Sequence, residues 1–121
     1  MGQSVDHLGD STVLVLDASG DDFDAEYLAN DLIGLAWACE ATVVAVPAGA
    51  LPDRFYDLRS GLLGDVTQKF ANYRLHLVVV GDVADYIASS KAFRDYAYEA
   101  NKGRTLWFVP DLDALEARLQ V

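Results

Sequence analysis

Four apolar runs punctuate the chain, and each is followed by a stretch whose apolar residues recur at helical spacing. The runs are residues 12–16 (TVLVL), 42–46 (TVVAV), 75–80 (LHLVVV) and 105–109 (TLWFV). Short, β-branched and almost free of polar alternation, they predict strands buried on both faces. After the first run, Leu28, Leu32, Leu35, Ala36 and Cys39 share one helical face and predict a helix over 23–40. Asp22 is its candidate N-cap, and Asp24 and Glu26 suit the positive end of its dipole. After the second run, Leu62, Leu63, Val66, Phe70 and Tyr73 form the stripe of a central helix that begins near Ser60. After the third, Phe93, Tyr96, Ala97 and Ala100 mark a helix over 84–101, closed by Asn101-Lys102-Gly103. Pro110-Asp111 opens the last helix, with Leu112, Leu115 and Leu119 on its buried side. Residues 5–8 predict a short edge strand, joined to the first run by a hairpin at Gly9-Asp10. Residues 53–58 predict a short helical turn.

The order is β(β)αβαβαβα. Such alternation predicts an α/β fold over residues 1–121: a two-layer sandwich with a four- or five-stranded, mainly parallel sheet and four helices. Crossovers are expected to be right-handed. No repeat or linker interrupts the pattern.

Composition narrows the function classes. A length of 121 residues is one domain's worth, and 52% hydrophobic with 23% charged residues is globular material. The net charge of −10 repels phosphate backbones, and no Lys/Arg run offsets it, so nucleic acid is not expected as a partner. A single cysteine, Cys39, excludes an internal disulfide and is expected as a buried thiol. The polar start MGQSVDHLGD does not read as a signal peptide, and no apolar run approaches the roughly 20 residues of a membrane span. A cytoplasmic protein without a membrane partner is the expectation.

Candidate chemistry is sparse. Ser60 at a helix start is either a phosphoacceptor or anion contact, or a plain N-cap. Arg59 beside it either grips a carboxylate or phosphate, or pairs with Asp57. Asp17 and Asp82 follow apolar runs and belong at the carboxyl ends of strands, the edge where open α/β sheets bind ligands. With Asp21, Asp22 and Asp24, Asp17 could hold a hard divalent cation, or these residues cap and solubilise a loop. Lys91 and Asp95, four apart beside Tyr86, Ser90 and Arg94, either face a partner or form the solvated side of a helix. His7 and His76 are the only imidazoles, expected in structural roles. No phosphate-binding glycine loop, nucleophile elbow or catalytic set can be assembled, so no cofactor and no catalytic residue is assigned. Trp37 and Trp107 are expected in the core or at an interface. An open strand edge near Trp107 would be covered by a homodimer.

From Phe55 onward the chain resembles a bacterial family known as domain of unknown function 4180. The resemblance is carried by Phe55-x-Asp57-Leu58, Ser60-Gly61-Leu62-x-Gly64, Gln68-Lys69-Phe70-x-Asn72-Tyr73, Gly81-Asp82, Ser90-Lys91 and Glu99-x-Asn101-Lys102-Gly103. It implies no activity. The element order is also similar to that of STAS domains, the fold of anti-sigma-factor antagonists and anion-transporter tails. Those domains start their second helix with an Asp-x-Ser-Gly-Leu-Gly-like segment whose Ser accepts a phosphate. Asp57-Leu58-Arg59-Ser60-Gly61-Leu62-Leu63-Gly64 resembles that segment, with one extra residue before Ser60 and the second Gly one place late. The resemblance implies a non-enzymatic binding or regulatory domain, acting through a protein partner or small anionic ligand at residues 57–64. Ser60, Arg59, Asp57 and Gly61 of that segment, with Asp82 at a strand end and Lys91 on the third helix, are the candidate ligand- or partner-binding residues. The alternatives are a small Mg²⁺-dependent enzyme or pathway accessory using the acidic residues from Asp17 to Asp24, and a homodimeric interaction module.

Overall fold

The computed structural model describes residues 2–9, 11–17 and 25–119. Strand β1 (Gly2–Leu8) runs antiparallel to β2 (Ser11–Asp17), with Leu8 opposite Ser11 around the predicted turn. β1 reaches back to Gly2 and so is longer than the pattern of residues 5–8 suggests. A 3-10 turn at Ala25–Tyr27 leads into α1 (Leu28–Ala38), and β3 (Val43–Pro47) follows. Three 3-10 turns, Ala48–Ala50, Asp53–Tyr56 and Leu58–Ser60, carry the chain to α2 (Leu62–Asn72) and β4 (His76–Val80). Then come α3 (Ala84–Ser89), α4 (Lys91–Ala100), β5 (Leu106–Val109) and α5 (Leu112–Leu119).

The five strands lie in the order β1-β2-β3-β4-β5. The pairs β2–β3, β3–β4 and β4–β5 are parallel. Side chains alternate across the sheet, and this sorts the core into two parts. Leu14, Leu16, Val44, Val46, Leu77, Val79 and Leu106 meet Leu28, Leu32 and Ile33 of α1, Leu63, Val66 and Phe70 of α2, and Phe93 and Ala97 of α4. Val13, Val43, Ala45, Val78, Trp107 and Val109 point the other way and pack against Leu115 of α5. The expected two layers are thus three, the third being one eight-residue helix. Phe55, Phe70 and Phe93 are fully buried, each side chain worth roughly 2–3 kcal/mol when taken out of water.

Helix count and stripe edges also differ from expectation. The predicted helix over 84–101 is two helices, because Ser90 adopts an extended conformation and its Oγ accepts the Phe93 N–H at 3.1 Å, starting α4 afresh. Among the described residues there are therefore five helices where four were expected. Tyr73 and Leu112 fall off their stripes and are exposed, and Cys39 is half-buried. Trp37 is 56% exposed and stands edge-on to Tyr73 with ring centroids 5.0 Å apart, so it is no part of the core. α1 and α2 both end in a left-handed residue that is not glycine, Glu40 at φ 55° and Arg74 at φ 58°. Each turns the chain sharply into the next strand, at a cost of about 1 kcal/mol relative to glycine.

Candidate functional site

The loop before α2 brings Asp57, Arg59, Ser60 and Gly61 together in one turn. The Ser60 hydroxyl lies between the carbonyl oxygens of Arg54 (2.6 Å) and Asp57 (2.8 Å), donating its one proton there, and it accepts the Leu62 N–H at 3.2 Å. Ser60 is therefore not the N-cap. That position is taken by Gly61 at φ 80°, a left-handed conformation that strains any residue with a Cβ. Asp57 Oδ1 accepts the Arg59 N–H at 3.1 Å and lies 3.5 Å from Arg59 Nε, and the Arg59 side chain is otherwise in solvent. Behind this turn, Tyr56 stacks on Tyr86 of α3 with centroids 3.9 Å apart. The Tyr56 hydroxyl donates to the Ala48 carbonyl at 2.7 Å, and the Tyr86 hydroxyl donates to Asp53 at 3.2 Å. Burial, with the Tyr86 and Asp53 charges added, pushes the Tyr56 phenol well above its ordinary range and keeps it a donor. Through Tyr56 the loop thus ties the turn after β3 to α3, while Asp57 and Arg59 stay open to solvent.

Asp82 and Lys91 lie elsewhere. Asp82 Oδ1 accepts the Ala84 N–H, the first amide of α3, at 2.8 Å. Gly81 precedes it at φ 141°, where a Cβ would meet the Ala48 Cβ at 3.1 Å. Lys91 opens α4 and pairs with Asp95 at 3.1 Å, an exposed i,i+4 contact. The Lys91 hydrogen bond, ahead of the nearby charges of Lys91 and Arg94, holds the Asp95 carboxyl below its ordinary value. None of the described hydrogen bonds or ion pairs joins residues 57–61 to Asp82 or Lys91.

Asp82 does line a groove of about 440 Å³ between α4 and the end of the sheet. Its walls are apolar, with Val83, Ile87, Ala97 and Phe108 among them, and Arg94 and Tyr98 of α4 also line it. Arg94 Nε lies 3.6 Å from Asp95, and both side chains are more than half exposed. The volume is within the range of small-molecule pockets. The sequence pattern marked Arg94 only as part of a polar helix face. Its role in a groove depends on Gly81-Asp82 and Phe108 coming alongside, which spacing does not show.

A second arrangement that sequence reasoning missed centres on Asn101. Its Oδ1 accepts the Phe108 N–H at 2.7 Å, occupying the edge of β5, and its carbonyl accepts Arg118 Nη2 at 2.7 Å. Arg118 lies 3.8 Å over the Trp107 ring, whose Nε1–H donates to the Gly103 carbonyl at 2.7 Å. His76 packs edge-on beneath Trp107, with centroids 4.0 Å apart. It is buried, and its Nε2 has no hydrogen-bond partner among the described residues. Burial first, then the Arg104 and Arg118 charges, lower its pKa to about 4. The strand edge at which a homodimer was expected is thus partly closed from within. In the sequence, Asn101-Lys102-Gly103 reads as a helix end and Trp107 as a core or interface residue, and neither shows this arrangement.

For a metal, the described residues bring together no group of three or more His, Cys, Asp or Glu. Asp21, Asp22 and Asp24 lie outside the described residues, and Asp17 is placed only as the last residue of β2. His7 Nδ1 lies 3.4 Å from Thr12 Oγ1 across the hairpin. Among the described residues no helix is long and apolar enough to cross a membrane.

A model of the family described as Domain of unknown function (DUF4180) matches residues 8–119, and the chain belongs to that family. Neither the curated proteins nor the solved structures give a match.

Proposed function

We propose that this member of an unknown-function family is a non-enzymatic binding domain of STAS-like organisation, whose ligand is a small molecule with an apolar body and one anionic group. The β–α order and the Ser60-Gly61 start of α2 support the STAS-like part. The groove beside α4 supports the ligand. Its apolar walls suit a hydrocarbon or aryl body, and the Arg94 guanidinium suits a carboxylate or phosphate. The groove lies where β4 and β5 deliver Gly81, Asp82 and Val109, the carboxyl edge at which open α/β sheets receive ligands. The working surface expected at residues 57–64 moves accordingly. Ser60, Asp57 and Arg59 hold the loop behind α3, while Asp82 and Arg94 serve the groove.

The test is an amide NMR titration with aryl carboxylates, starting with phenylacetate, on the wild type, Arg94→Ala and Arg59→Ala. Saturable shifts at Gly81 and Phe108 that Arg94→Ala weakens by about ten-fold or more, the scale of a charged hydrogen bond, and that Arg59→Ala leaves alone, support the reading. Shifts confined to residues 57–64 return the site to the loop. A response to MgCl₂ near Asp17 in place of the groove favours metal-dependent chemistry.

A further inference from the structure

The chain carries nine Lys and Arg residues against nineteen Asp and Glu, so a concentration of cations needs an explanation. Three of the nine, Lys102, Arg104 and Arg118, line one cavity of about 420 Å³ together with Gly103 and Trp107. They come from two separate segments, the turn after α4 and the last turn of α5, and only the fold brings them together. We propose that this cavity is a binding site for a phosphate group, free or as the monoester of a small molecule. It is independent of the groove beside Arg94 and of the reading given to it.

Three features favour phosphate. Arg118 is already oriented: it lies over Trp107 and donates one N–H to the Asn101 carbonyl, so little side-chain freedom is lost when a ligand takes its remaining donors. Three cations match a group of nearly two negative charges better than a single carboxylate, which one guanidinium satisfies. The volume exceeds a bare phosphate and leaves room for a small organic body. One opposing charge is Glu99, whose Oε1 lies 3.3 Å from Lys102 Nζ, while Lys102 also lies 4.3 Å over the Tyr98 ring. An arriving phosphate competes with Glu99 for Lys102. In a molecule of net charge −10, a cavity lined by three of the nine cationic residues is a favourable place for an anion. His76 reports on it from beneath Trp107, because the Arg104 and Arg118 charges that a bound phosphate would screen are among those acting on the imidazole.

The experiment is a titration with inorganic phosphate and then phenyl phosphate at low salt, following the Trp107 indole N–H and the His76 ring protons. Saturable movement of the Trp107 signal, with a Kd on the order of 1 mM, is expected. A rise in the His76 pKa on saturation is expected with it. Arg104→Ala should weaken binding about ten-fold, Glu99→Gln should tighten it two- to three-fold (order of magnitude, from the screened charge pair), and Arg94→Ala should leave it unchanged. Tighter binding of phenyl phosphate would assign the monoester, and equal binding the free ion. A Trp107 signal that does not move, or binding that Arg104→Ala and Glu99→Gln leave unaltered, overturns the proposal. Loss of binding on Arg94→Ala alone would place the anion in the groove and overturn it equally.

Discussion

The turn at residues 57–61 and the turn at residues 101–104 make opposite use of their polar side chains. In the first, the Ser60 hydroxyl faces two backbone carbonyls of its own loop and Asp57 closes on Arg59 two residues away. Each of these polar contacts is local in sequence, and together they close a corner. In the second, Asn101 reaches seven residues forward to the edge of β5 and receives Arg118 from seventeen residues on. That clamp holds the backbone, and Lys102, Arg104 and Arg118 line one cavity beside it. The turn richest in suggestive residue types satisfies itself. The turn that reads as an ordinary helix end gathers charge from across the fold. Local density of Ser, Gly, Asp and Arg measures turn chemistry, whereas a binding site requires groups that converge from distant positions.

The largest expected effect lies under the second turn. His76 takes its proton in the unfolded chain near pH 6.5 but in the folded chain only near pH 4. Above pH 6.5 the imidazole is neutral in both states and favours neither. As pH falls from 6.5 through 4, the unfolded state gains the proton first, so stability drops, by about 3 kcal/mol in total at this shift. Urea unfolding of wild type and His76→Leu between pH 7 and 4 isolates this from the carboxylates: the difference in stability between the two proteins should change over that window and be flat above it. A constant difference down to pH 4 would mean that the imidazole is not held neutral beneath Trp107.

Next in size is the contrast between the two turns themselves. Asn101→Ala removes the acceptor of the Phe108 N–H and should cost about 2 kcal/mol, with Asn101→Asp recovering part of it because the oxygen is kept. Ser60→Ala should cost only about 1 kcal/mol, because the carbonyls of Arg54 and Asp57 lie at an exposed turn where water can replace the hydroxyl. Thermal unfolding of the three variants under one set of conditions would settle the order. Ser60→Ala costing more than Asn101→Ala would reverse the comparison.

Much of the fold is visible in the chain because it follows from periodicity. The runs at 12–16, 42–46, 75–80 and 105–109 became β2 to β5 within one or two residues, since strands buried on both faces leave unbroken apolar sequence. The break at Ser90 was hidden because Ser90 keeps the polar pattern of a continuous helix while its backbone is extended. Tyr73 lies off its expected stripe and Trp37 outside the core because an aromatic next to an apolar stripe looks the same whether it faces the sheet or, as here, a second exposed ring. The third layer was missed because the α5 stripe gives a buried side and does not say which face of the sheet meets it. For the candidate sites the limit is sharper. Asp82 and the pair Lys91–Asp95 could be read as residues, but the groove needs the junction of α3, α4 and β5, and the cation cavity needs residue 118 beside residue 102.

The smallest expected effect is also the most pointed, because it concerns the residue that local sequence most recommends. Arg59 is 93% exposed, and its contact with Asp57 is long, at 3.5 Å, and open to solvent. An exposed pair of this geometry is worth little once salt screens it. Arg59→Ala should therefore shift stability by no more than about 0.5 kcal/mol, and it should leave both the phenylacetate response at Gly81 and the phosphate response at Trp107 as they are in the wild type. Paired melting curves at low and high salt check the first part, and the two titrations check the second. A loss of either ligand on this substitution would show that the first turn reaches beyond its own loop. The guanidinium would then have to leave Asp57 and swing toward a ligand, which makes the Asp57–Arg59 pair a latch and not a corner. Asp57→Asn would then enhance binding by freeing the arginine, and the two single variants together would distinguish that latch from the self-contained turn described here.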